Sequence, residues 1–265
     1  MPSSRQVPVT NWKEGERQEL DDRVAAEVPV ALTYNKRSHV VMMVSPFDLE
    51  DFAFGFSMTE GIITTPADVV DLKIIQRPEG LEVALTVNED CFARLEKQRR
   101  NLVGKTGCGL CGAESLQQAM RTPATVSGLV SLTDRALQKA IHSLNDHQPL
   151  QAETGAVHGA AWCGPTGEIL ALREDVGRHN ALDKLLGSLL RDKFDPATGF
   201  ALVSSRASYE MVYKTAAVGI EVLVAVSAAT TLAIDFAQRS GMTLVGFGRP
   251  GRHNVYTFDH RISNT

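Results

Sequence analysis

The apolar positions of this chain recur in two rhythms, and the change between them divides it. From Arg23 onward, Val24, Ala26, Val28, Val30 and Leu32 fall on every second residue, and after Asn35-Lys36-Arg37-Ser38 a second apolar run covers Val40 to Val44. Period two broken by turn-forming residues predicts a β-hairpin. Leu49, Phe52, Ala53 and Phe56 then follow at helical spacing up to Gly61, and Ser45-Pro46-Phe47-Asp48 offers a capping serine, a first-turn proline and an early acid. A helix starting at that cap is predicted. Strands over Leu72 to Gln76 and Leu81 to Val87 flank the turn Arg77-Pro78-Glu79-Gly80, and a charged helix runs from Asp90 to Arg100. Cys91, at its start, reads as a half-buried small apolar side chain.

Beyond a short helix over Ala113 to Arg121 and the link Gly128 to Leu132, Thr133 caps a helix from Asp134 to Leu144. From there strands and single helices alternate. Strands are predicted over Ala156 to Cys163, Glu168 to Arg173, Phe200 to Ser204, Val222 to Ser227, Met242 to Phe247 and Asn254 to Phe258, with helices over Asn180 to Arg191, Tyr209 to Val218 and Thr231 to Arg239. That order implies a three-layer α/β unit with helices on both faces of a mixed sheet. We therefore expect a weakly ordered, polar arm over 1–20, a smaller N-terminal α/β domain (α+β in character) over 21–112, and a larger α/β domain over 113–265.

Composition narrows the function without naming it. A formal net charge of −4 argues against bulk nucleic acid as the main partner, though a local basic site for a small phosphate stays open. Four cysteines, two of them isolated at Cys91 and Cys163, make no disulfide framework, and no charged-then-apolar signal segment leads the chain, so a cytoplasmic protein is expected. The most apolar window, Ala216 to Ile234, is interrupted by Glu221, Ser227, Thr230 and Thr231 and reads as helix end, buried strand and helix start, with no membrane span.

The densest chemistry is Gly104-Lys105-Thr106-Gly107-Cys108-Gly109-Leu110-Cys111-Gly112. Two thiols at Cys-x-x-Cys spacing before a helix favour the thiolate, which is the nucleophile, and Lys105 adds a cation. Glycines at 107, 109 and 112 leave the sulfurs uncovered. His158, among small residues at a strand start, is equally a ligand-facing group or a histidine satisfied within the sheet. Arg173-Glu174-Asp175-Val176-Gly177-Arg178-His179-Asn180-Ala181-Leu182-Asp183-Lys184 crowds ionisable groups between a strand and a helix, where open α/β sheets bind ligands; the bland alternative has Asp175 on loop amides and His179 paired with Asp183. Ser204-Ser205-Arg206-Ala207-Ser208 again joins strand to helix and suits an anion, or is an ordinary cap with a surface arginine. Phe247-Gly248-Arg249-Pro250-Gly251-Arg252 is a phosphate clamp or a solvated turn.

Taken together, Thr106 to Gly112, Thr154-Gly155-Ala156-Val157-His158, Arg173 to Lys184, Ser204 to Lys214 and Thr243 to Tyr256 resemble the FdhD family, the formate dehydrogenase accessory sulfurtransferases. The resemblance implies a homodimer that takes sulfur from a cysteine desulfurase as a persulfide and passes it to the molybdenum bis(molybdopterin guanine dinucleotide) cofactor of formate dehydrogenase. It implies Cys108 as persulfide carrier, Cys111 as a second sulfur-handling thiol, and Phe247, Gly248, Arg249, Pro250, Gly251 and Arg252 as the segment that holds the cofactor, with His158, Arg178, His179 and Arg206 on neighbouring loops and a guanine nucleotide able to occupy the same site. It also implies a cytidine-deaminase-like fold for the C-terminal domain. Ser205 stands where the family usually has glycine, and Ala156 where a second glycine is common. A zinc deaminase would need proline before the first cysteine and a His-x-Glu; Gly107 precedes Cys108 and none of the histidines has glutamate two residues on, so no metal is expected. A non-catalytic chaperone that delivers the cofactor is the alternative.

Overall fold

The computed structural model describes residues 1–100 and 124–264. Instead of a weakly ordered arm over 1–20, the chain opens with an antiparallel hairpin, β1 (Ser4–Lys13) and β2 (Glu16–Ala25), paired along ten residues of each strand. Its turn is Glu14-Gly15, both at positive φ (54° and 89°), which matches the twist of a tight hairpin. A two-stranded ladder is held by backbone hydrogen bonds and buries neither face, and its few apolar residues are scattered among charged and polar ones, so the alternation is too thin to read.

Next comes a four-stranded sheet in the order β4-β3-β6-β5, formed by β3 (Val28–Tyr34), β4 (Arg37–Val44), β5 (Val69–Arg77) and β6 (Gly80–Val87). Alternate residues of its central strands, Val30, Leu32 and Tyr34 on β3 and Leu81, Val83, Leu85 and Val87 on β6, face inward. They pack on Phe52 and Phe56 of α1 (Leu49–Thr59) and on Cys91 and Leu95 of α2 (Glu89–Arg100). The expected Ser45 cap is not made. The cap of α1 is Asp48, in the left-handed region with no side-chain hydrogen bond, because the amide and carbonyl of Ser45 are held by buried Asp175 (3.0 Å) and Lys184 (3.0 Å).

The second half contains β7 (Leu132–Thr133), α3 (Asp134–Ser143), α4 (Pro149–Thr154), β8 (His158–Cys163), β9 (Ile169–Asp175), α5 (Arg178–Arg191), β10 (Phe200–Val203), α6 (Tyr209–Ala217), β11 (Val222–Ala225), α7 (Thr231–Ser240), β12 (Thr243–Arg249), β13 (Arg252–Val255) and β14 (Ile262–Ser263). Thr133 caps α3 as expected, its Oγ1 accepting the Ala136 amide at 3.1 Å. Helix α4 was not expected; the Glu174 carboxylate accepts the Leu150 and Gln151 amides (2.9 and 2.8 Å) and so caps it from another element. Six strands form a mixed sheet in the order β13-β12-β11-β10-β8-β9, with β10, β11 and β12 parallel. Ala201, Val203, Leu223 and Ala225 face α5, α6 and α7, while Phe200, Leu202, Val222 and Val224 face Leu137, Ala140 and Ile141 of α3. This is the three-layer α/β arrangement the alternation predicts. The boundary expected at 112/113 and the helix expected over Ala113 to Arg121 lie outside the described residues.

The two sheets are joined through α1 and α5, which cross at glycines. A Cβ on Gly55 would lie 1.8 Å from the Asp183 carbonyl oxygen, and one on Gly187 would lie 1.8 Å from that of Asp51. Flanking the crossing, Asp51 is buried between Arg191 (2.6 Å) and Arg173 (2.8 Å). Because the obstructing atoms are backbone, Gly187→Ala and Gly55→Ala should each cost about 3 kcal/mol in urea unfolding, with the helices forced apart.

Candidate functional site

The carboxyl ends of β10, β11 and β12 lie along one edge of the large sheet, and each is followed by a loop. Antiparallel β8 begins at that edge and β9 ends there, with His158 opposite Asp175. Backbone hydrogen bonds sew the loops together. Ser204 N–H donates to Gly159 O at 2.9 Å and Gly159 N–H to Ser204 Oγ at 2.9 Å; Ser227 N–H donates to Ser205 O at 3.3 Å, and Phe247 N–H to Ser227 O at 2.9 Å. Four strand spacings separate β9 from β12, so the edge is about 19 Å long.

Most of the charge in the Arg173 to Lys184 run turns out to hold the fold. Asp175 and Lys184 form a fully buried ion pair at 2.7 Å. Asp175 also accepts the amides of Ser45 and Gly177 and the Asn180 side chain, and the Lys184 ammonium sits 4.1 Å from the Phe47 ring centroid. Asp183 pairs with Lys214 of α6 at 2.8 Å and accepts from Thr59 at 2.9 Å. Within that buried pair, burial opposes the ammonium, but Asp183 and Glu60 outweigh it and hold the Lys214 pKa above its ordinary value. His179 does not pair with Asp183: its Nε2 lies 2.9 Å from Glu210 Oε2, one turn before Lys214, so the two contacts zip α5 to α6.

Among the described residues, Arg178 and His158 are not consumed by the fold. Arg178 opens α5, where the cap, Gly177, offers no side-chain hydrogen bond, and among the described residues its buried Nε has no hydrogen-bond partner. Ser208, the cap residue of α6, is in the same condition, its buried Oγ without a partner among the described residues. His158 is half-buried, and burial followed by the Arg178 charge pushes its pKa below the ordinary 6.5, so its imidazole is neutral near pH 7. Two helix N-termini and an unspent guanidinium nitrogen make this edge a place for an anion.

Of the residues singled out by sequence, His158, Arg178 and His179 are brought together at the β8–β9 end of the edge, and exposed Arg206 lies on the next loop. Phe247 sits further along, at φ 53° in a bulge of β12. A bulky residue in that region is strained, and such strain is found where a side chain must be aimed. Gly248 is buried. Arg249, Pro250, Gly251 and Arg252 form the exposed turn into β13 at the far end, and the Gly251 amide donates to Gln138 of α3, on the opposite face, at 2.8 Å. Ser205 and Ala156 are outside the left-handed region, so neither backbone needs the conformational freedom of glycine. Sequence reading missed the loop Ser227 to Thr230, which bridges the Arg206 loop through Ala207 and Ala229 and whose signal is a Thr230 cap after a buried strand.

Cys108 and Cys111 lie outside the described residues. The chain after them is fixed at the opposite, amino edge of the sheet: Val126 N–H donates to Ser240 O at 3.0 Å, and buried Glu221 accepts the Leu129 and Val130 amides at 3.0 and 2.8 Å. Cys91 and Cys163 are buried, and burial pushes both thiols up, away from thiolate chemistry. Among the described residues no helix is long and apolar enough to cross a membrane.

Comparison with known proteins gives this geometry a context. The profile of the FdhD/NarQ family matches residues 25–263. A protein of Cupriavidus necator described as sulfur carrier protein FdhD is 50% identical over 263 residues, which is 99% of this chain and 91% of that one. A crystal structure from Desulfotalea psychrophila, described as a putative formate dehydrogenase accessory protein, superposes with a TM-score of 0.79 at 28% identity, covering 98% of this chain and all of the other.

The α5–α6 zipper titrates. Contact with His179 is the main influence holding the Glu210 carboxyl below its ordinary 4.5, with burial opposing. A depressed carboxyl contributes stability above its unfolded pKa and loses it as pH falls through the folded one. Thermal unfolding of Glu210→Gln against the wild type should therefore show a full deficit above pH 4.5 that closes as pH falls below 4.5 and through the lowered folded-state value.

Proposed function

The chain belongs to the FdhD/NarQ family, and from that membership we propose that it is a sulfur carrier with sulfurtransferase activity, taking sulfur from a cysteine desulfurase as a persulfide on Cys108. The acceptor is the molybdenum bis(molybdopterin guanine dinucleotide) cofactor of a formate dehydrogenase, which is a substrate of the carrier and not its resident group. The carrier works as a cytoplasmic homodimer.

The observation that carries the acceptor half of this reading is the Arg178 Nε, without a partner among the described residues, beside two helix N-termini that lack side-chain caps, on an edge about 19 Å long. A bis-nucleotide is long and bears several phosphates, and this edge offers cations and amides spaced along its length. Arg178, Arg206 and the helix N-termini would take phosphate oxygens, neutral His158 would exchange a hydrogen bond, and Phe247 would stack on a base or pterin ring. Lys184 and Lys214, already neutralised by carboxylates, stay out of the ligand's reach. Guanine nucleotide alone should occupy part of the same edge.

The chemistry balances without an outside oxidant. The Cys108 thiolate attacks the outer sulfur of the donor's persulfide, and the donor's cysteine leaves as thiolate. The acceptor then attacks the outer sulfur on Cys108, whose thiolate leaves in turn. If Cys111 attacks Cys108 Sγ instead, hydrosulfide leaves and a Cys108–Cys111 disulfide remains, which a thiol must reduce before another cycle.

Intact-mass analysis after incubation with a cysteine desulfurase and free cysteine tests the donor half. The wild type should gain the mass of one sulfur and Cys108→Ala should gain none. An unmodified wild type would overturn the reading, while a Cys108→Ala protein that still supports formate dehydrogenase would point to a chaperone that only delivers the cofactor.

A further inference from the structure

The β1–β2 hairpin takes no part in the carboxyl-edge site, and the described remainder of the chain leaves it bare. Ten paired residues per strand at a rise of about 3.4 Å make a ladder about 34 Å long. Its root is tied down: Ala26 N–H donates to Ser3 O at 2.8 Å, Ser4 Oγ donates to Glu153 at 3.1 Å, and Arg23 Nε lies 2.9 Å from the same carboxylate. Past the root almost every residue of both strands is exposed, Trp12 at 68%. Pairing sets Val9 opposite Leu20, with Val7 and Val24 on the same face, so the exposed ladder carries an apolar stripe. A two-stranded hairpin is marginal in water and needs a further strand or a packed face.

The same chain carries the complement of this arm. Strand β9 pairs with β8 on one side, and among the described residues nothing pairs with its other side. Beside that open edge lies a groove of about 660 Å³ lined by Phe47, Leu150, Ile169 and Leu170, and by Met1 and Ser3 at the root of the arm; Leu170 is 59% exposed. An open edge strand is a template for another strand. The arm does not lie along its own β9, whose one strand partner among the described residues is β8.

We propose that the β1–β2 arm of one copy docks its apolar stripe along the open edge and groove of β9 in a second copy, and receives the partner's arm in return. Arm and receptor sit side by side on one molecule, so a two-fold axis between them satisfies both at once and closes the assembly. The 22 residues from Ser4 to Ala25 fall within the roughly 20–30 per partner that a standard interface of about 800 Å² a side employs, and the exchange supplies that contact twice. The arrangement gives the proposed homodimer its surface and rests on that part of the proposed function alone, independent of the sulfur chemistry.

Sedimentation equilibrium of the full chain at micromolar concentration tests it, with the double variant Val9→Asp/Leu20→Asp on the arm and Leu170→Asp on the edge. The wild type should be a dimer, and each variant, with far-ultraviolet circular dichroism and unfolding midpoint close to wild type, should raise the dimer dissociation constant at least about tenfold. A monomeric wild type would overturn the homodimer and the arm together. A dimer unaffected by all of the substitutions would overturn the arm and leave the homodimer standing. A dimer weakened by the arm variant but not by Leu170→Asp would show that the arm pairs elsewhere and overturn the exchange as proposed.

Discussion

Asp175 and Lys184 form an ion pair with no exposure to solvent, and the rest of the molecule is arranged to make that pair tolerable. Bringing two charges out of water costs several kcal/mol apiece before their attraction is counted, so the remaining lone pairs and protons must also be met. They are met by three different parts of the chain: the Ser45 amide and carbonyl after β4, the Gly177 amide before α5, and the Asn180 side chain within it. The pair therefore fixes where the four-stranded sheet ends, where β9 stops and where α5 begins. Desolvation is the dominant pressure on the lysine, pulling its pKa down, and Asp175 resists it.

From that anchor the geometry of the carboxyl edge follows. With α5 pinned at its N-terminus, and crossed by α1 at Gly55 and Gly187, His179 and Asp183 present themselves one turn apart to Glu210 and Lys214. Helix α6 is thereby held beside α5, with both N-termini opening on the carboxyl edge of the sheet. Arg178 and Ser208, the residues at those openings, are each left with a buried polar atom unmatched among the described residues. Asp175, Asp183, Lys184 and Lys214 are consumed in buried pairs, while Arg178 and Ser208 keep, among the described residues, a donor without a partner.

The sequence made the large α/β unit readable because its short strands are buried on both faces and its helices keep helical spacing between them. The small sheet was readable because Val30 and Leu32 alternate with the rhythm of their burial. What could not be read were features whose cause lies far away in sequence. Ser45 looks like a helix cap until Asp175, 130 positions on, claims its amide. The Arg173 to Lys184 run looks like a ligand site by density, yet Arg173 answers Asp51, Glu174 caps α4, and Asp183 answers Lys214. The hairpin over 4–25 escapes notice because its apolar residues, Val7, Val9, Leu20 and Val24, are sparse among charged and polar neighbours. Arg178 and His158 were singled out for their position at strand ends, and the structure leaves them facing that edge.

The carboxyl edge of the six-stranded sheet is where we propose that a guanine nucleotide-bearing acceptor is received. Isothermal titration of the full chain with guanosine diphosphate tests it most directly, comparing the wild type with Arg178→Ala and Arg206→Ala and with Arg135→Ala on α3 as control. The wild type should bind, each edge substitution should weaken binding at least about tenfold, the loss of one charge-assisted hydrogen bond, and the control should bind as the wild type does. Nucleotide binding indifferent to both edge substitutions would contradict it.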